Sequence, residues 1–354
     1  MRDLIGVGLI GAGAIGRVHG LNIARRVSGA RLVAVADPAQ AAGQEIGDQL
    51  DVPAVYGSAV DLLANRAVEA VVIASPASTH AQLIRDAALA CKHIFCEKPL
   101  GFDLPAIDSA LEAIARAGVA LQVGFQRRFD RNFHQARDLI AKGLIGRPRL
   151  VRVISRDPRP PSIQYLRESG GLFMDMTIHD FDMARFLIAD EIEEVTALGA
   201  VLVDPAIGRE ARDLDTAIIA LRYASGALGV IDNCRQAAYG YDQRVEVFGS
   251  QGAVLVGNEE IDRTVLITAE GARKASPQPW FGERYADAYV TEMQAFVDAI
   301  RGGRRAEVDG KDGRASVALA LAAKRSAKEG RPVLVSSVEA TFAAMAPPPP
   351  PCEL

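Results

Sequence analysis

Leu4-Ile5-Gly6-Val7-Gly8-Leu9-Ile10-Gly11-Ala12-Gly13-Ala14-Ile15-Gly16 is the stretch that decides the fold. Its first seven residues are apolar or glycine, the composition of a buried strand. Residues 11–16 fit G-x-G-x-x-G, and a helical pattern opens there and runs to Arg26. The six residues alone are a weak signal, because small residues are frequent in turns. Between a strand and a helix they acquire a mechanical meaning. Gly11 permits a tight turn, Gly13 lets backbone approach a pyrophosphate, and Gly16 lets the helix pack closely on the sheet. The free amides and positive end of the helix around Ala14 and Ile15 are placed to hold the diphosphate.

The next requirement is an acidic residue about 20 positions on, at the end of the second strand. Asp37 follows Leu32-Val33-Ala34-Val35-Ala36 and meets it. A carboxylate there accepts hydrogen bonds from a ribose and repels a 2′-phosphate, so the expected cofactor is NAD rather than NADP.

Outward from this stretch, short apolar runs alternate with helical ones. Strands are expected at Val68–Ala74, His93–Cys96 and Val119–Val123, and helices at Ala39–Leu50, His80–Ala90 and Pro105–Ala117. That alternation predicts a parallel sheet covered on both faces, a Rossmann α/β unit over residues 1–124. After Gly124 the texture changes. A helix over Leu172–Ile188 precedes strand-like runs at Val195–Leu202, Ala217–Tyr223, Leu228–Cys234, Arg244–Phe248, Ala253–Val256 and Thr264–Thr268. Helical spacing returns at Tyr285–Ile300 and Arg314–Glu329. Residues 125–342 thus read as an α+β unit with an open-faced, mainly antiparallel sheet flanked by helices. The remainder, 343–354, holds the proline run Pro347–Pro351 and reads as an extended tail.

Composition narrows the classes. A net charge of -4 gives no electrostatic reason to expect nucleic acid or an anionic membrane. No apolar stretch reaches the roughly 18 residues of a membrane span. Cys91, Cys96, Cys234 and Cys352 form no CxxC pair and no zinc spacing, and fit free thiols in a reducing cytoplasm.

Two further features carry chemistry. His93-Ile94-Phe95-Cys96 runs into Glu97-Lys98-Pro99, which places Lys98 at the carboxyl end of a strand, where such sheets bind ligands. The bland alternative is a solvated surface lysine. Asp175 and His179 are four apart, so a continuous helix stacks them on one face. A carboxylate beside an imidazole suits proton transfer near neutral pH. The same pair is open to reading as a metal half-site with Asp180 and Asp182, although Asp180 points off that face. No metal is expected.

The chain resembles the glucose–fructose oxidoreductase / inositol dehydrogenase / rhizopine-catabolism family. The resemblance rests on Gly11–Gly16, Asp37, Ser75-Pro76-Ala77-Ser78-Thr79-His80, Glu97-Lys98-Pro99 and Asp175–His179, and covers nearly the whole chain. Arg156-Asp157-Pro158, residues 175–182, Tyr239-Gly240-Tyr241-Asp242 and residues 285–292 resemble bacterial inositol 2-dehydrogenases in particular. It implies a homo-oligomer, with a tetramer favoured, and a catalytic set of Lys98, Asp175 and His179. It also implies a cofactor edge at Ser75, Pro76, His80, Glu97 and Lys98. Ser155 and Asp157 depart from some inositol dehydrogenases, which have His and Asn there, and these positions approach the sugar ring.

The chemistry so implied is NAD-dependent oxidation of a secondary ring hydroxyl to a ketone. The ring is that of myo-inositol, with scyllo-inositol, another cyclic polyol or an aldose as alternatives. His179 would act as base with Asp175 holding its imidazole, and Lys98 would stabilise the reacting oxygen. Besides these three, the expected substrate contacts are Arg128, Asp157 and Tyr239. Each has a structural rival: a salt bridge for Arg127 or Arg128, a core position for Tyr239 or Tyr241, a helix-start packing role for His80. Asp182 is equally open to binding vicinal hydroxyls or to solvation. Two other classes stay open, an NAD-using glycosidase and a non-catalytic dinucleotide sensor.

Overall fold

The computed structural model describes residues 4–345; the proline run and Cys352 lie outside them. Six strands, β1 (Ile5–Ile10), β2 (Ala30–Ala36), β3 (Val55–Tyr56), β4 (Ala70–Ile73), β5 (His93–Glu97) and β6 (Leu121–Gly124), form one sheet in the order β3-β2-β1-β4-β5-β6. Every neighbouring pair is parallel. The connections are helices α1 (Ala14–Arg25), α2 (Gln40–Gln49), α3 (Ala59–Ala64), α4 (His80–Leu89) and α5 (Leu104–Ala117). All six residues of β1 and all four of β4 are buried, as apolar runs covered on both faces require. The order reverses between β1 and β4, so their carboxyl ends open a crevice where ligands of such sheets sit.

The chain then continues through α6 (Arg131–Ala141), β7 (Pro148–Arg156), α7 (Ile163–Glu168), α8 (Leu172–Asp175) and α9 (Thr177–Ile188). A second sheet follows from β8 (Ile192–Ala200), β9 (Thr216–Tyr223), β10 (Leu228–Cys234), β11 (Asp242–Gly249) and β12 (Ala253–Val256). With β15 (Val333–Leu334) it has seven strands in the order β12-β11-β7-β10-β9-β8-β15. It is antiparallel except for one pair, β7 with β10. Strands β13 (Val265–Thr268) and β14 (Gly271–Lys274) stand apart as an exposed hairpin, so the run expected at 264–268 does not join the main sheet.

One face of this sheet is packed and the other is open. Along β9, Ala217, Ile219, Leu221 and Tyr223 are buried while Ile218, Ala220 and Arg222 are exposed, the alternation of a half-covered sheet. Helices α10 (Phe281–Arg284), α11 (Ala286–Gly302), α12 (Gly310–Glu329) and α13 (Val335–Met345) complete the chain. Helix α12 opens on a capping box between Asp309 and Asp312 and ends at Gly330 in the left-handed region. Helix α11 returns to the first sheet, where Met293, Phe296 and Val297 share a core with Leu9, Ile23, Val35 and Phe95.

The helix expected at 172–188 is interrupted. Met176 has ψ -58 at φ -98, ending α8 and starting α9. This break changes how Asp175 relates to His179.

Candidate active site

The cofactor end is built by the turn after β1. Gly11 has φ +104, where a side chain is strained, and a Cβ there would lie 2.6 Å from the Ala74 carbonyl oxygen. A Cβ on Gly16 would strike the Gly11 carbonyl oxygen, so α1 sits close against the turn. Gly13 meets nothing within 4 Å, leaving open space over backbone. No side chain caps α1 and its first turn carries no acidic residue, so its N-terminal amides remain available to an anion. Ser75 and Pro76 follow β4 beside Gly11. The Asp37 carboxylate stands over the turn, accepting from the Ala12 amide at 2.7 Å and the Ala39 amide at 2.8 Å. Each of its oxygens keeps a lone pair for ribose hydroxyls. These residues fit NAD: unfilled space at Gly13, an uncapped helix start, and a carboxylate where a 2′-phosphate would fall. Asp37→Ser is expected to raise the NADP:NAD ratio of kcat/KM about tenfold or more, since it removes the repulsion. An unchanged ratio in paired assays would place the ribose contact elsewhere.

Two residues expected at the cofactor edge are turned away from it. His80 is buried, with Nδ1 2.7 Å from the Pro99 carbonyl oxygen and Nε2 2.9 Å from that of Ser75. It ties the Ser75 turn to the cis Lys98-Pro99 segment, and both ring nitrogens are committed. The Glu97 carboxylate points inward, 2.7 Å from His19 Nε2.

Lys98 reaches across to the second half of the chain. Its Nζ donates to the Asp175 carbonyl oxygen at 2.8 Å and lies 3.3 Å from Oδ1. The Asp175 carboxylate also accepts from the Tyr165 hydroxyl at 2.8 Å and Arg235 Nη1 at 3.2 Å. Burial would raise its pKa, but Lys98, Arg235 and the Tyr165 hydrogen bond outweigh that and hold it below the ordinary carboxylate range. Asp175 therefore does not hold the His179 imidazole, contrary to the helical-face expectation. Three donors from distant elements draw it toward Lys98, and the break at Met176 removes the continuous helix that would stack the pair.

His179 Nδ1 is buried without a hydrogen-bond partner, and its ring packs edge-on to Phe125 at 5.9 Å. Burial, then the positive charges of Lys98 and Arg127, push its pKa well below 6.5. It is a neutral imidazole at pH 7, the form that accepts a proton. Asp157 stands near the same groups. Burial pushes it up to about 6, with Arg235 opposing and Asp175 adding to the rise.

The other expected contacts fall differently. Arg128 forks onto Asp182 at 2.8 and 2.6 Å and also bonds Asp312. Arg128 and Asp182 are thus a structural pair, not substrate ligands. Tyr239 is exposed, and its hydroxyl joins Asp242 and Arg156. Arg156 and its partner Asp232 extend from the sheet face opposite Ser155 and Asn233, and the Tyr239 hydroxyl is committed to that face. Tyr241 is the buried tyrosine near Arg127 and Asp157. The Ser155 hydroxyl is enclosed by Arg127 and Gln243, which closes it to a ring. Asp180 is held by Arg127 at 2.5 Å and Asn233 at 2.8 Å. With Asp175, Asp180 and Asp182 each bonded to a lysine or arginine, the metal half-site reading loses its ligands.

Residues the sequence did not single out complete the site. Arg235 is wholly buried and bridges Asp175 to Asp213, whose Oδ1 accepts from the Leu172 amide at the start of α8. A charged residue directly after the half-buried strand β10 was the available signal. Tyr165 offered none, since α7 is a short surface helix.

Residues 5–125 match the description "Oxidoreductase family, NAD-binding Rossmann fold", and residues 133–255 match "GFO/IDH/MocA C-terminal domain". A protein named myo-inositol 2-dehydrogenase from Thermotoga maritima is 44% identical over 332 residues, 94% of this chain and 99% of its own length. The crystal structure of a probable dehydrogenase from Thermotoga maritima superposes with a TM-score of 0.92 at 44% identity, covering 94% of this chain and 100% of that one. A scyllo-inositol dehydrogenase from Lactobacillus casei, solved with bound NAD(H) and scyllo-inositol, has a TM-score of 0.89 at 31% identity, covering 94% and 100%. The chain belongs to the GFO/IDH/MocA family of NAD-binding oxidoreductases.

Proposed function

We propose that this protein oxidises a secondary ring hydroxyl of an inositol, myo-inositol first, to the ketone. The observation that carries the reading is the meeting of Lys98 with Asp175 beside a neutral His179 at the carboxyl end of β5. NAD, when bound, supplies the hydride acceptor. His179 takes the hydroxyl proton, for which its neutral state suits it. Lys98 donates a hydrogen bond to the reacting oxygen and stabilises negative charge as the carbonyl forms. Asp175 accepts from Lys98, Tyr165 and Arg235, and so fixes the direction of the ammonium group. Asp157 adds an acceptor for a ring hydroxyl.

The binding half is assigned to residues 1–124 and the substrate half to 125–342. A cytoplasmic homo-oligomer, tetramer favoured, is part of the same proposal. Association of copies is supported by the open face of the second sheet, where Leu198, Ile218 and Leu255 are 69%, 54% and 67% exposed.

The test is NADH formation from NAD with myo-inositol, scyllo-inositol, D-chiro-inositol and aldoses. Turnover is expected with at least one inositol, most strongly with myo-inositol. Strongest turnover with scyllo-inositol would transfer the assignment to that ring. Silence with the whole panel would overturn the dehydrogenase reading, and release of an aglycone without net NADH would replace it with the glycosidase.

A further inference from the structure

Next to Lys98, at the end of β5, three titratable groups meet in the interior. They are His19 of α1, Glu97 of β5 and Glu292 of α11, all buried, with one ligand-type atom of each within 4.8 Å of the others. His19 Nε2 lies 2.7 Å from Glu97 Oε1, and the Lys98 amide donates to Glu97 Oε2 at 3.3 Å. The Glu97 side chain fits because residue 124 is glycine: a Cβ there would sit 2.9 Å from the carboxylate. Both Glu292 side-chain oxygens are buried and have no partner. Its main-chain carbonyl is anchored by Gln122 Nε2 at 2.6 Å, which fixes that turn of α11 against β6. Among the described residues, neither glutamate has a lysine or arginine side chain within ion-pair distance.

Two carboxylates this close and this buried do not both stay charged. Glu97 accepts two hydrogen bonds, which stabilise its ionised form, whereas Glu292 accepts none. The proton therefore belongs on Glu292. His19 Nδ1 is also buried without a partner, and its Nε2 donates to the Glu97 carboxylate. The 2.7 Å approach of His19 to Glu97 is a hydrogen bond, shorter than two ligands of one metal ion usually stand apart.

We propose that Glu292 is held as a neutral acid, and that with His19 it is a positioning residue. His19 holds the Glu97 carboxylate on the Lys98 amide by its hydrogen bond, a neutral Glu292 leaves that carboxylate unrepelled, and the clamp sets where β5 delivers the Lys98 side chain. Ionising Glu292 would repel Glu97 and release that clamp. The groups facing Glu292 are His19 from α1, Glu97 from β5 and Tyr289 from its own helix, with Tyr241 and Tyr285 beyond Tyr289. Burial, then the Glu97 charge, drives Glu292 well above its ordinary value.

Linkage gives the sign of the test. An acid whose folded pKa is raised stabilises the fold fully below its unfolded value, and that contribution is lost as pH rises toward the folded one. Melting temperatures of the full chain and Glu292→Gln are compared from pH 5.5 to 9. Wild type is expected to lose about 3 °C or more relative to the variant over that range. Parallel curves would overturn the proton assignment, as would one divalent ion per chain in elemental analysis of wild type.

Positioning is read by kcat, and that arm rests on the proposed inositol oxidation. His19→Phe is expected to lower kcat about tenfold with the Kd for NAD unchanged, and His19→Gln, which keeps a donor, to restore most of it. Equal loss in both variants, or none in His19→Phe, would overturn the positioning role. Inactive wild type would sink the proposed function, while the melting comparison would still decide the proton. If His19→Phe does not fold, near-wild-type kcat in His19→Gln supports the positioning role and a loss of about tenfold in it overturns that role.

Discussion

Replacing His179 by alanine is expected to lower kcat by about 10²- to 10⁴-fold, the usual worth of a positioned general base. NAD affinity should stay near that of wild type, because the dinucleotide elements, Gly11–Gly16 and Asp37, lie on β1, α1 and the end of β2. The pH profile sharpens the prediction. Burial and the nearby charges of Lys98 and Arg127 depress the imidazole well below 6.5. The base is therefore already unprotonated at neutral pH. kcat/KM should be flat through pH 6.5–7.5 and fall only on the acid side of that range. Steady-state kinetics and NAD titration by fluorescence check both parts. Loss of NAD binding equal to the loss of turnover, in a folded variant, would remove His179 from the proton step.

Lys98→Met should cost about 10²- to 10³-fold in kcat, the scale for losing one preorganised donor to a developing oxyanion. It should also shift the chemistry of its neighbours. Lys98 helps depress His179 and helps hold Asp175 ionised. Without that charge both groups titrate at higher pH. The acid limb of residual activity is then expected to move up toward 6.5. Rate loss with an unmoved acid limb would mean that Lys98 and His179 do not share one electrostatic site.

The first sheet was legible because its signals are local. A buried strand, a glycine turn and a helix follow one another within residues 5–25, and the carboxylate closing the unit ends the next strand. Strand β7 was not legible. Arg149, Arg152 and Arg156 interrupt its apolar run, and only the partners on both sides make it an interior strand of the second sheet. Helix α6 was hidden similarly by its polar face. The site was legible as a set of residues, less so as a set of partners. Spacing of four paired Asp175 with His179, but a long-range ion pair with Lys98 and Arg235 prevails over neighbours on a helix. Arg127 and Arg128 adjoin in sequence and part in space, one to Asp180 and the other to Asp182. Nothing in a dipeptide of identical residues separates those fates.

The placement of α11 bears on how the molecule is made. Met293, Phe296 and Val297 complete a core whose other members, from Ile5 to Phe95, are synthesised first. During translation six of the seven strands of the second sheet, all but β15, must emerge before that cover arrives. The nascent N-terminal half therefore waits with an apolar flank uncovered, the kind of surface that chaperones engage. Its closure waits on residues 286–302, so a ribosome that stops before them leaves the dinucleotide half unsealed.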